Sequence, residues 1–417
     1  MIKDVQTAVI ESNYDWTLVK IVADEGVGYG ECFFALGLPE VIRRLNPLLV
    51  GQDPADITRL LRNLKTAGLL TSPHGGVLQH ALAGIETALW DLLGKSLGAP
   101  LYRLWGGTYR KEIRLYADCH GGEGLASLSS ILAPRTPWWL GQEAGDSPHE
   151  VHPKYHGGRA ADAFELDLSL YARRAREAAE QGYTILKFDL DIPNPHSRDD
   201  YNRTLEPQEI DLLVEVVRAV REDISEEVGL AVDCHWSLSA SSGIALGRAL
   251  EPFKLLWIED PVPPESDEAL ARVINESPTP VASGENHYSA VQFNRLLQLG
   301  MQIAAPDLQK TGFAEGRRIA ELAELFTVPL APHNISSPVG TLAAAHLAAT
   351  IPNFLVLEHH GIDVPFWEDL AADREGPVIE KGHVVLNGAP GLGITLDEEV
   401  AYRYRKRDEA FFGDTKQ

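Results

Sequence analysis

The chain has 417 residues, 44% hydrophobic and 23% charged, which is ordinary for a globular protein with room for two domains or one large domain with an appendage. Its formal net charge of −23 argues against nucleic acid or an anionic membrane as a partner. No apolar run approaches the roughly 20 residues needed to cross a bilayer. The N-terminal sequence lacks the features of a signal peptide, and the three cysteines form no CxxC pair. We therefore expect a cytoplasmic protein.

The first 112 residues predict a small α+β domain. Residues 17–24 alternate between apolar and polar as a β-strand does, and the glycine-rich GVGYGE at 26–31 is interpreted as a turn into the next strand. Helical periodicity follows over 39–49, 55–66 and 78–97.

A βα repeat begins near Ile113. The segment 120–162 interrupts it as an insertion, for which a lid and an oligomer contact both remain open. A helix is predicted over 163–181, and TILKFDL at 184–190 is the second strand of the repeat. The repeat is expected to end at residue 383, where a C-terminal segment, 384–417, would pack on the first domain.

Six ionisable residues then occur at intervals of 22 to 26 residues, each at the end of a short apolar run: Asp233, Glu259, Glu285, Asp307, His333 and Glu358. A strand, a helix and two loops together take about 25–30 residues, so this is the period of a βα repeat. Eight strands in about 250 residues is the size of a (β/α)8 barrel, in which the ends of all strands open onto one face. The spacing therefore predicts one site that contains five carboxylates and an imidazole.

Asp233, Glu259 and Glu285 would end three neighbouring strands. Three carboxylates this close repel one another unless a cation neutralises them. An all-oxygen anionic group suits a hard divalent ion, so the residues predict a Mg²⁺ site. Separate salt bridges or loop caps are the structural alternative.

The remaining residues of the site predict acid–base chemistry. Asp307 beside His333 would fix its tautomer and raise its basicity. His235 lies two residues past Asp233 and would enter the same site if the strand continued. Lys187, at the end of the second strand, would be a point charge at the rim for a substrate carboxylate. Glu358 would donate a hydrogen bond if neighbouring acids raised its pKa.

These motifs resemble the enolase superfamily, and within it the branch of mandelate racemase and the galactonate and mannonate dehydratases. The similarity runs over nearly the whole chain, through YGE at 29–31, GIETALWDLLGKSLGAPLYRLWGG at 84–107, WIEDP at 257–261, SGEN at 283–286, PDLQKTG at 306–312 and GAPGLGI at 388–394. The resemblance implies an α/β fold, a modified (β/α)7β TIM barrel under an α+β capping domain built from the N-terminal region and the C-terminal tail.

Several residues match the family's functional positions. The resemblance implies that Asp233, Glu259 and Glu285 are Mg²⁺ ligands, that Asp307 and His333 form the family's His–Asp pair, and that Glu358 is its electrophile on strand eight. Lys187 matches the first lysine of the KxK motif on strand two, but the second, the base of the racemase, is Asp189 here. In its place Asp233-Cys234-His235 resembles the D-x-H of the dehydratases, whose histidine removes the α proton.

The resulting prediction is a Mg²⁺-dependent hydro-lyase of sugar-acid catabolism. His235 would remove the proton α to the carboxylate of an aldonate, and His333 would protonate the departing 3-hydroxyl, giving a 2-keto-3-deoxy acid. Racemisation or epimerisation of a 2-hydroxy acid by the two histidines remains an alternative, as does a catalytically silent homologue. The expected partner is an acid sugar, with no nucleic acid and no membrane, and the expected assembly is a homo-oligomer.

Overall fold

The computed structural model describes residues 1–12, 14–68, 74–119, 166–198 and 202–413. The insertion predicted at 120–162 lies outside these residues, so both roles considered for it stay predictions. Within the described ranges, no helix combines the length and the apolar character that spanning a bilayer requires.

The N-terminal part is an antiparallel sheet covered by helices. Its three strands pair in chain order and are β1 (Ile2–Glu11), β2 (Asp15–Ala23) and β3 (Gly26–Cys32). The helices that follow are α1 (Leu38–Leu49), α2 (Ile57–Ala67), α3 (Val77–Leu97) and α4 (Leu101–Leu104). Helices α1, α2 and α3 share an apolar core with the sheet, which makes this part a separate α+β layer.

The glycine-rich segment 26–31 is strand β3, so its interpretation as a turn was wrong. The turn lies just before it, at residues 24–25. A Cβ atom at Gly30 would lie 2.1 Å from the carbonyl oxygen of Gly84, and one at Gly28 would lie 2.1 Å from that of Ala88. Glycine is required at both positions because the backbones of β3 and α3 are in contact. A close approach of another backbone is a common reason for glycine inside a strand.

Eight parallel strand positions close into a barrel. The first six strands pair in chain order: β4 (Glu112–Cys119), β5 (Ile185–Asp189), β6 (Gly229–Asp233), β7 (Ile258–Glu259), β8 (Val281–Ser283) and β9 (Ile303–Ala304). The seventh position is held by Leu330, which forms parallel bridges with Ala304 and Phe354. The eighth, β10 (Leu357–His359), pairs with β4 and closes the barrel.

One helix follows each of the first seven strand positions within the described residues. These helices are α5 (Leu168–Glu180), α6 (Pro207–Asp223), α7 (Ala240–Leu250), α8 (Asp267–Glu276), α9 (Ala290–Gln298), α10 (Leu308–Leu325) and α11 (Pro338–Thr350). This is the (β/α)7β arrangement that the family resemblance implies, and the predicted α/β fold class is confirmed.

The chain after the barrel returns to the N-terminal sheet. A hairpin is formed by β12 (Ile379–Glu380) and β13 (His383–Val385), and β13 also pairs with β4. Strand β11 (Ala371–Ala372) pairs with β14 (Thr395–Leu396), and α12 (Glu398–Arg403) follows. The amide of Lys406 then donates to the carbonyl of Val9 at 2.8 Å, and that of Phe412 donates to Thr7 at 2.9 Å. The domain limits at 112/113 and 383/384 stay predictions.

The N-terminal domain meets the barrel at the carboxyl ends of its strands. The amide of Phe33, just after β3, donates to the carbonyl of Gln309 at 3.2 Å. The indole of Trp16 donates to the carbonyl of Ile335 at 2.9 Å. These contacts cover the face on which the ionisable residues lie.

Candidate active site

Lys187 lies between three of the other predicted site residues. Its Nζ is 2.9 Å from Asp233 Oδ2, 3.3 Å from Glu259 Oε2 and 2.8 Å from Glu358 Oε1. The lysine is only 1% exposed, so its predicted position at the rim was wrong. Burial alone would lower the pKa of Lys187, but the carboxylates of Glu259 and Glu358 outweigh it and raise that pKa well above its usual range. The lysine is therefore a fixed positive charge buried among the strand-end carboxylates.

Strand register accounts for the clustering of the carboxylates. Asp233 and Glu259 are partners in the pairing of β6 with β7. Ala282 is the partner of Glu259 on β8, and Glu285 follows three residues later, past Gly284 at a φ of +141°. Because a Cβ at Gly284 would also lie 2.7 Å from the Phe293 ring, glycine is required for the bend that turns Glu285 towards the site.

The three carboxylates are chemically suited to a divalent cation. Oε1 of Glu259 is buried and accepts no hydrogen bond from the described residues, which is costly for an ionised oxygen unless a cation meets it. Burial, together with Asp233 and Glu358, raises the pKa of Glu259 well above its usual range despite the opposing effect of Lys187. Burial opposes ionisation of Glu285 too, but His333 and Lys310 lower its pKa to about 2. The all-oxygen set is the kind that Mg²⁺ prefers.

A second group with metal-ligand geometry lies beside the first. Asp189, Asp191 and His235 each offer one ligand atom, and these atoms lie within 4.8 Å of one another. Its nitrogen donor makes this group less suited to Mg²⁺ than the all-oxygen set. We therefore assign the predicted ion to Asp233, Glu259 and Glu285, an assignment that stays a prediction.

His333 is held as the sequence suggested. Its Nδ1 lies 2.7 Å from Asp307 Oδ2, and its Nε2 lies 3.2 Å from Glu285 Oε2. Oδ1 of Asp307 accepts hydrogen bonds from the amides of Gln309 and Lys310, which begin α10. Burial alone would lower the pKa of His333, but the carboxylates around it raise it to about 9. The imidazole is therefore oriented by a carboxylate that is itself fixed at the start of a helix.

His235 reaches the site by a route that differs from the predicted one. Strand β6 ends at Asp233, and His235 has a φ of +39°, so the strand does not continue as assumed. The ring nevertheless points into the site, with Nδ1 2.9 Å from Asp191 Oδ1, 3.8 Å from Asp189 Oδ1 and 3.9 Å from Asp233 Oδ1. Burial opposes protonation, but these carboxylates raise the pKa of His235 well above its usual range.

Glu358 joins the two sides of the site. Its Oε2 accepts a hydrogen bond from the amide of Asn334 at 2.9 Å and lies 3.8 Å from His333 Nε2, while Oε1 faces Lys187. The described partners of this carboxyl group are therefore hydrogen-bond donors, and the group acts as an acceptor in these contacts. The role of hydrogen-bond donor to a substrate stays a prediction.

Two residues of the site were missed in the sequence. Asp191 forms a second imidazole–carboxylate pair, and its signal was the alternation of Asp189 and Asp191 at the end of β5, which places both on one side. Lys310 is fully buried, with Nζ 3.2 Å from Glu285 Oε1, 3.0 Å from Asn286 Oδ1 and 3.8 Å from the centre of the Phe33 ring. No spacing pattern pointed to Lys310, because its contacts cross between strands and domains.

Comparisons with known proteins agree with this geometry. Residues 4–106 match the N-terminal domain of the mandelate racemase/muconate lactonizing enzyme family, and residues 170–400 match the family described as enolase C-terminal domain-like. A D-xylonate dehydratase from Haloferax volcanii is 38% identical over 99% of this chain and 91% of its own length. A D-gluconate/D-galactonate dehydratase from Picrophilus torridus is 31% identical over 92% of this chain and 86% of its own.

A solved structure is also similar to this chain over its full length. A mandelate racemase/muconate lactonizing enzyme-like protein from Rubrobacter xylanophilus superposes with a TM-score of 0.87 at 40% identity, covering 99% of both chains. With both family domains matched and the barrel closed around the strand-end carboxylates, the chain belongs to the enolase superfamily, in its mandelate racemase and sugar-acid dehydratase branch.

Proposed function

We propose that this chain is a Mg²⁺-dependent dehydratase of a sugar acid, an aldonate, which it converts to a 2-keto-3-deoxy acid. The observation that carries the proposal is a pair of imidazoles, each bound to its own carboxylate, on the two sides of one group of buried acids. His235 with Asp191 lies on the side of β5 and β6, and His333 with Asp307 lies on the side of β9 and the seventh strand position. The relatives named as dehydratases of D-xylonate, D-gluconate and D-galactonate favour elimination as the reaction.

The binding of the substrate carboxylate depends on positive charge among the strand-end carboxylates. When bound, a divalent ion at Asp233, Glu259 and Glu285 would polarise the substrate carboxylate and offset the charge of Asp233. Lys187 keeps its charge because burial is outweighed by the surrounding acids. A fixed charge beside the carboxylate stabilises the negative charge that develops when the α proton leaves.

The two histidines have different tasks in this proposal. His235, in its neutral form, accepts the proton from C2 of the substrate. The carboxylates of Asp233, Asp191 and Asp189 favour its protonated form, and a divalent ion held by Asp233 would offset part of that effect. His333, whose pKa of about 9 keeps it protonated at neutral pH, gives its proton to the 3-hydroxyl, which leaves as water. The resulting enol takes up a proton at C3 and loses its hydroxyl proton, so the net reaction is the loss of one water molecule.

The same geometry also fits a second function. Two imidazoles on opposite sides of an acidic α carbon would exchange its proton and invert it, as in a racemase or epimerase of a 2-hydroxy acid. The position at which the racemase carries its second lysine is Asp189 here, so this reaction would depend on His235 and His333 alone.

Incubation of the Mg²⁺-loaded protein with D-xylonate, D-gluconate and D-galactonate in D₂O separates the two functions. The dehydratase yields a 2-keto-3-deoxy acid, detected as its semicarbazone and by NMR. Deuterium at C2 with inverted configuration, without any keto acid, would overturn the dehydratase proposal in favour of an epimerase. The same incubation with His333→Asn and His235→Asn controls for a contaminating activity, because neither variant would form the keto acid.

A further inference from the structure

Two buried glutamates of the N-terminal domain reach into the barrel. Glu31 lies near the end of β3 and is 2% exposed, and Glu86 lies in the middle of α3 and is 4% exposed. Neither residue touches the candidate metal ligands or the two histidines by any described hydrogen bond. Each accepts hydrogen bonds from the backbone of a barrel helix, and the two helices are those that follow Asp307 and His333.

Glu86 binds the point at which α10 restarts. Helix α10 is broken at Gly312, which has a φ of +78° and a ψ of 172°. Oε1 of Glu86 accepts a hydrogen bond from the amide of Ala314 at 3.0 Å, just beyond the break. A Cβ atom at Gly312 would lie 2.2 Å from Glu86 Oε2, so the break and the glutamate fit each other. The turn between Asp307 and Gly312 is thereby fixed at both ends.

Glu31 binds the beginning of α11 in the same way. Its Oε1 accepts from the amide of Ser337 at 3.0 Å, and its Oε2 accepts from the Ser337 hydroxyl at 2.5 Å and from the amide of Gly340 at 2.9 Å. Ser337 is four residues after His333 along the chain. Three donors on one buried carboxylate fix the segment that leads from the histidine into its helix.

The two helix beginnings are also joined to each other. The side chain of Gln309 donates to the carbonyl of Gly340 at 3.0 Å, and the carbonyl of Gln309 accepts from the amide of Phe33 at 3.2 Å. Strand β3, the start of α10 and the start of α11 therefore form one connected unit. Burial raises the pKa of both Glu31 and Glu86 to about 7, while their hydrogen-bond donors oppose this rise. The ionised form of each carboxylate is therefore stabilised by the barrel amides that it binds.

We propose that Glu31 and Glu86 are positioning residues for the pair of His333 and Asp307. They act through the beginnings of α10 and α11, and so make the orientation of the proposed acid depend on the docking of the N-terminal domain. The assignment rests on the proposed function, because it takes His333 as the acid of the elimination step. A shift of the helix beginnings misplaces His333 relative to the 3-hydroxyl and leaves His235, on the other side, in position.

The test compares Glu31→Gln and Glu86→Gln with a matched control, Asp91→Asn. Asp91 is also buried in α3, but it accepts from the amides of Tyr29 and Leu392 and from the ammonium of Lys95, and not from a barrel helix. Formation of keto acid and deuterium exchange at C2 are measured in one reaction in D₂O, with the aldonate that the wild type dehydrates. We expect elimination to fall by about 10- to 100-fold in both glutamine variants while the ratio of exchange to elimination rises by a similar factor.

The control is expected to lower the thermal midpoint without changing that ratio. Equal losses of exchange and elimination in the glutamine variants, as in Asp91→Asn, would reduce Glu31 and Glu86 to a purely structural role and overturn the proposal. Unchanged rates in both variants would overturn it as well. Should Glu31→Gln fail to fold, Ser337→Ala removes one of its three donors and is expected to change the ratio in the same direction by less.

Hydrogen exchange of backbone amides supplies a readout that does not depend on activity. Loss of protection is expected over 312–316 in Glu86→Gln and over 334–341 in Glu31→Gln, with neither change in Asp91→Asn. If the wild type forms no keto acid from any aldonate, the proposed function fails while this readout still decides on the positioning. Unaltered protection at both helix beginnings would overturn the inference even in an active dehydratase.

Discussion

The two imidazole–carboxylate pairs of the barrel are held in different ways. His333 lies on the side where Asp307 is fixed by two amides at the start of α10 and where capping-domain residues bind the neighbouring helices. His235 lies on a turn with a φ of +39°, and its partner Asp191 follows strand β5 in a segment without helix or strand. His333 also lies in irregular backbone, at 331–337, but its partner Asp307 is fixed at the start of a helix, whereas both His235 and Asp191 lie on loops.

This difference has a chemical consequence. Left-handed backbone at a non-glycine residue is strained and persists only where its surroundings hold it, so it is often found at functional positions. His235 is such a residue, and the following Trp236 has a φ of +60°. We therefore expect distant substitutions that shift α10 or α11 to disturb the chemistry of His333. The chemistry of His235 should respond only to substitutions of residues that contact it.

The largest expected effect comes from replacing each histidine separately. His235→Asn is expected to abolish exchange at C2 and the formation of keto acid, by roughly 10³-fold or more. His333→Asn is expected to stop elimination to a similar extent while exchange continues. Both reactions are followed by NMR in D₂O. Loss of exchange in His333→Asn alone would reverse the two assignments.

His383→Asn is the control for these variants. His383 lies on β13 and contacts the carbonyl of Lys381, away from the barrel mouth. Its replacement is expected to leave both rates unchanged, which would assign the losses in the other two variants to the site.

Loss of a metal ligand comes next in expected size. Glu259→Gln is expected to weaken Mg²⁺ binding by about 100-fold, because the oxygen that accepts no hydrogen bond loses its charge. Isothermal titration of chelator-treated protein measures this directly. Asp191→Asn is the comparison, since it belongs to the other group with metal-ligand geometry. Weaker binding in Asp191→Asn and normal binding in Glu259→Gln would move the ion to the His235 side.

Replacing the carboxylate partners tests how differently the two imidazoles are held. Asp307→Asn is expected to lower elimination by about 100-fold, because it alters both the tautomer of His333 and the start of α10. Asp191→Asn is expected to lower exchange by about 10-fold, because Asp189 and Asp233 remain within 4 Å of His235. Steady-state and exchange rates measure both. Equal losses of elimination in Asp307→Asn and of exchange in Asp191→Asn would show that the two imidazoles are held equally firmly.

The fold could be predicted from the sequence where a single repeat interval runs through the chain. The interval of 22 to 26 residues between the strand-end acids gave the barrel, although β7 and β9 are only two residues long and Leu330 forms only bridges. The same pattern failed for GVGYGE, because glycine serves both turns and close backbone contacts. Strand β1 was not predicted, since its sequence has no clear alternation.

The site was predictable only as far as its residues lay on that period. The strand-end acids and His333 were found because their places repeat. Glu31 and Ser337 are 306 residues apart, and no local pattern records a contact of that kind. The position of Lys187 was misjudged because sequence spacing fixes the strand end and not the depth of the side chain.

The smallest expected effect concerns the anchoring of the His333 side and depends on pH. His346 is buried on α11, where Nδ1 accepts from the amide of Tyr102 at 3.3 Å and Nε2 faces the carbonyl of Leu392 at 3.2 Å. Burial lowers the pKa of His346 to about 4, against an opposing effect of the Leu392 carbonyl. The neutral ring thus joins α11 to α4 and to the C-terminal segment.

A histidine with a lowered pKa takes up its proton more readily in the unfolded chain. The stability contributed by neutral His346 is therefore fully present above pH about 6.5 and is lost as the pH falls towards about 4, by about 1.4 kcal/mol per pH unit. His346→Gln is expected to reduce the slope of unfolding free energy against pH in that window by this amount, measured by urea denaturation. Activity at neutral pH should change little, since glutamine keeps an acceptor and a donor. An unchanged slope, equal to that of His383→Asn, would show that α11 is not anchored through this ring.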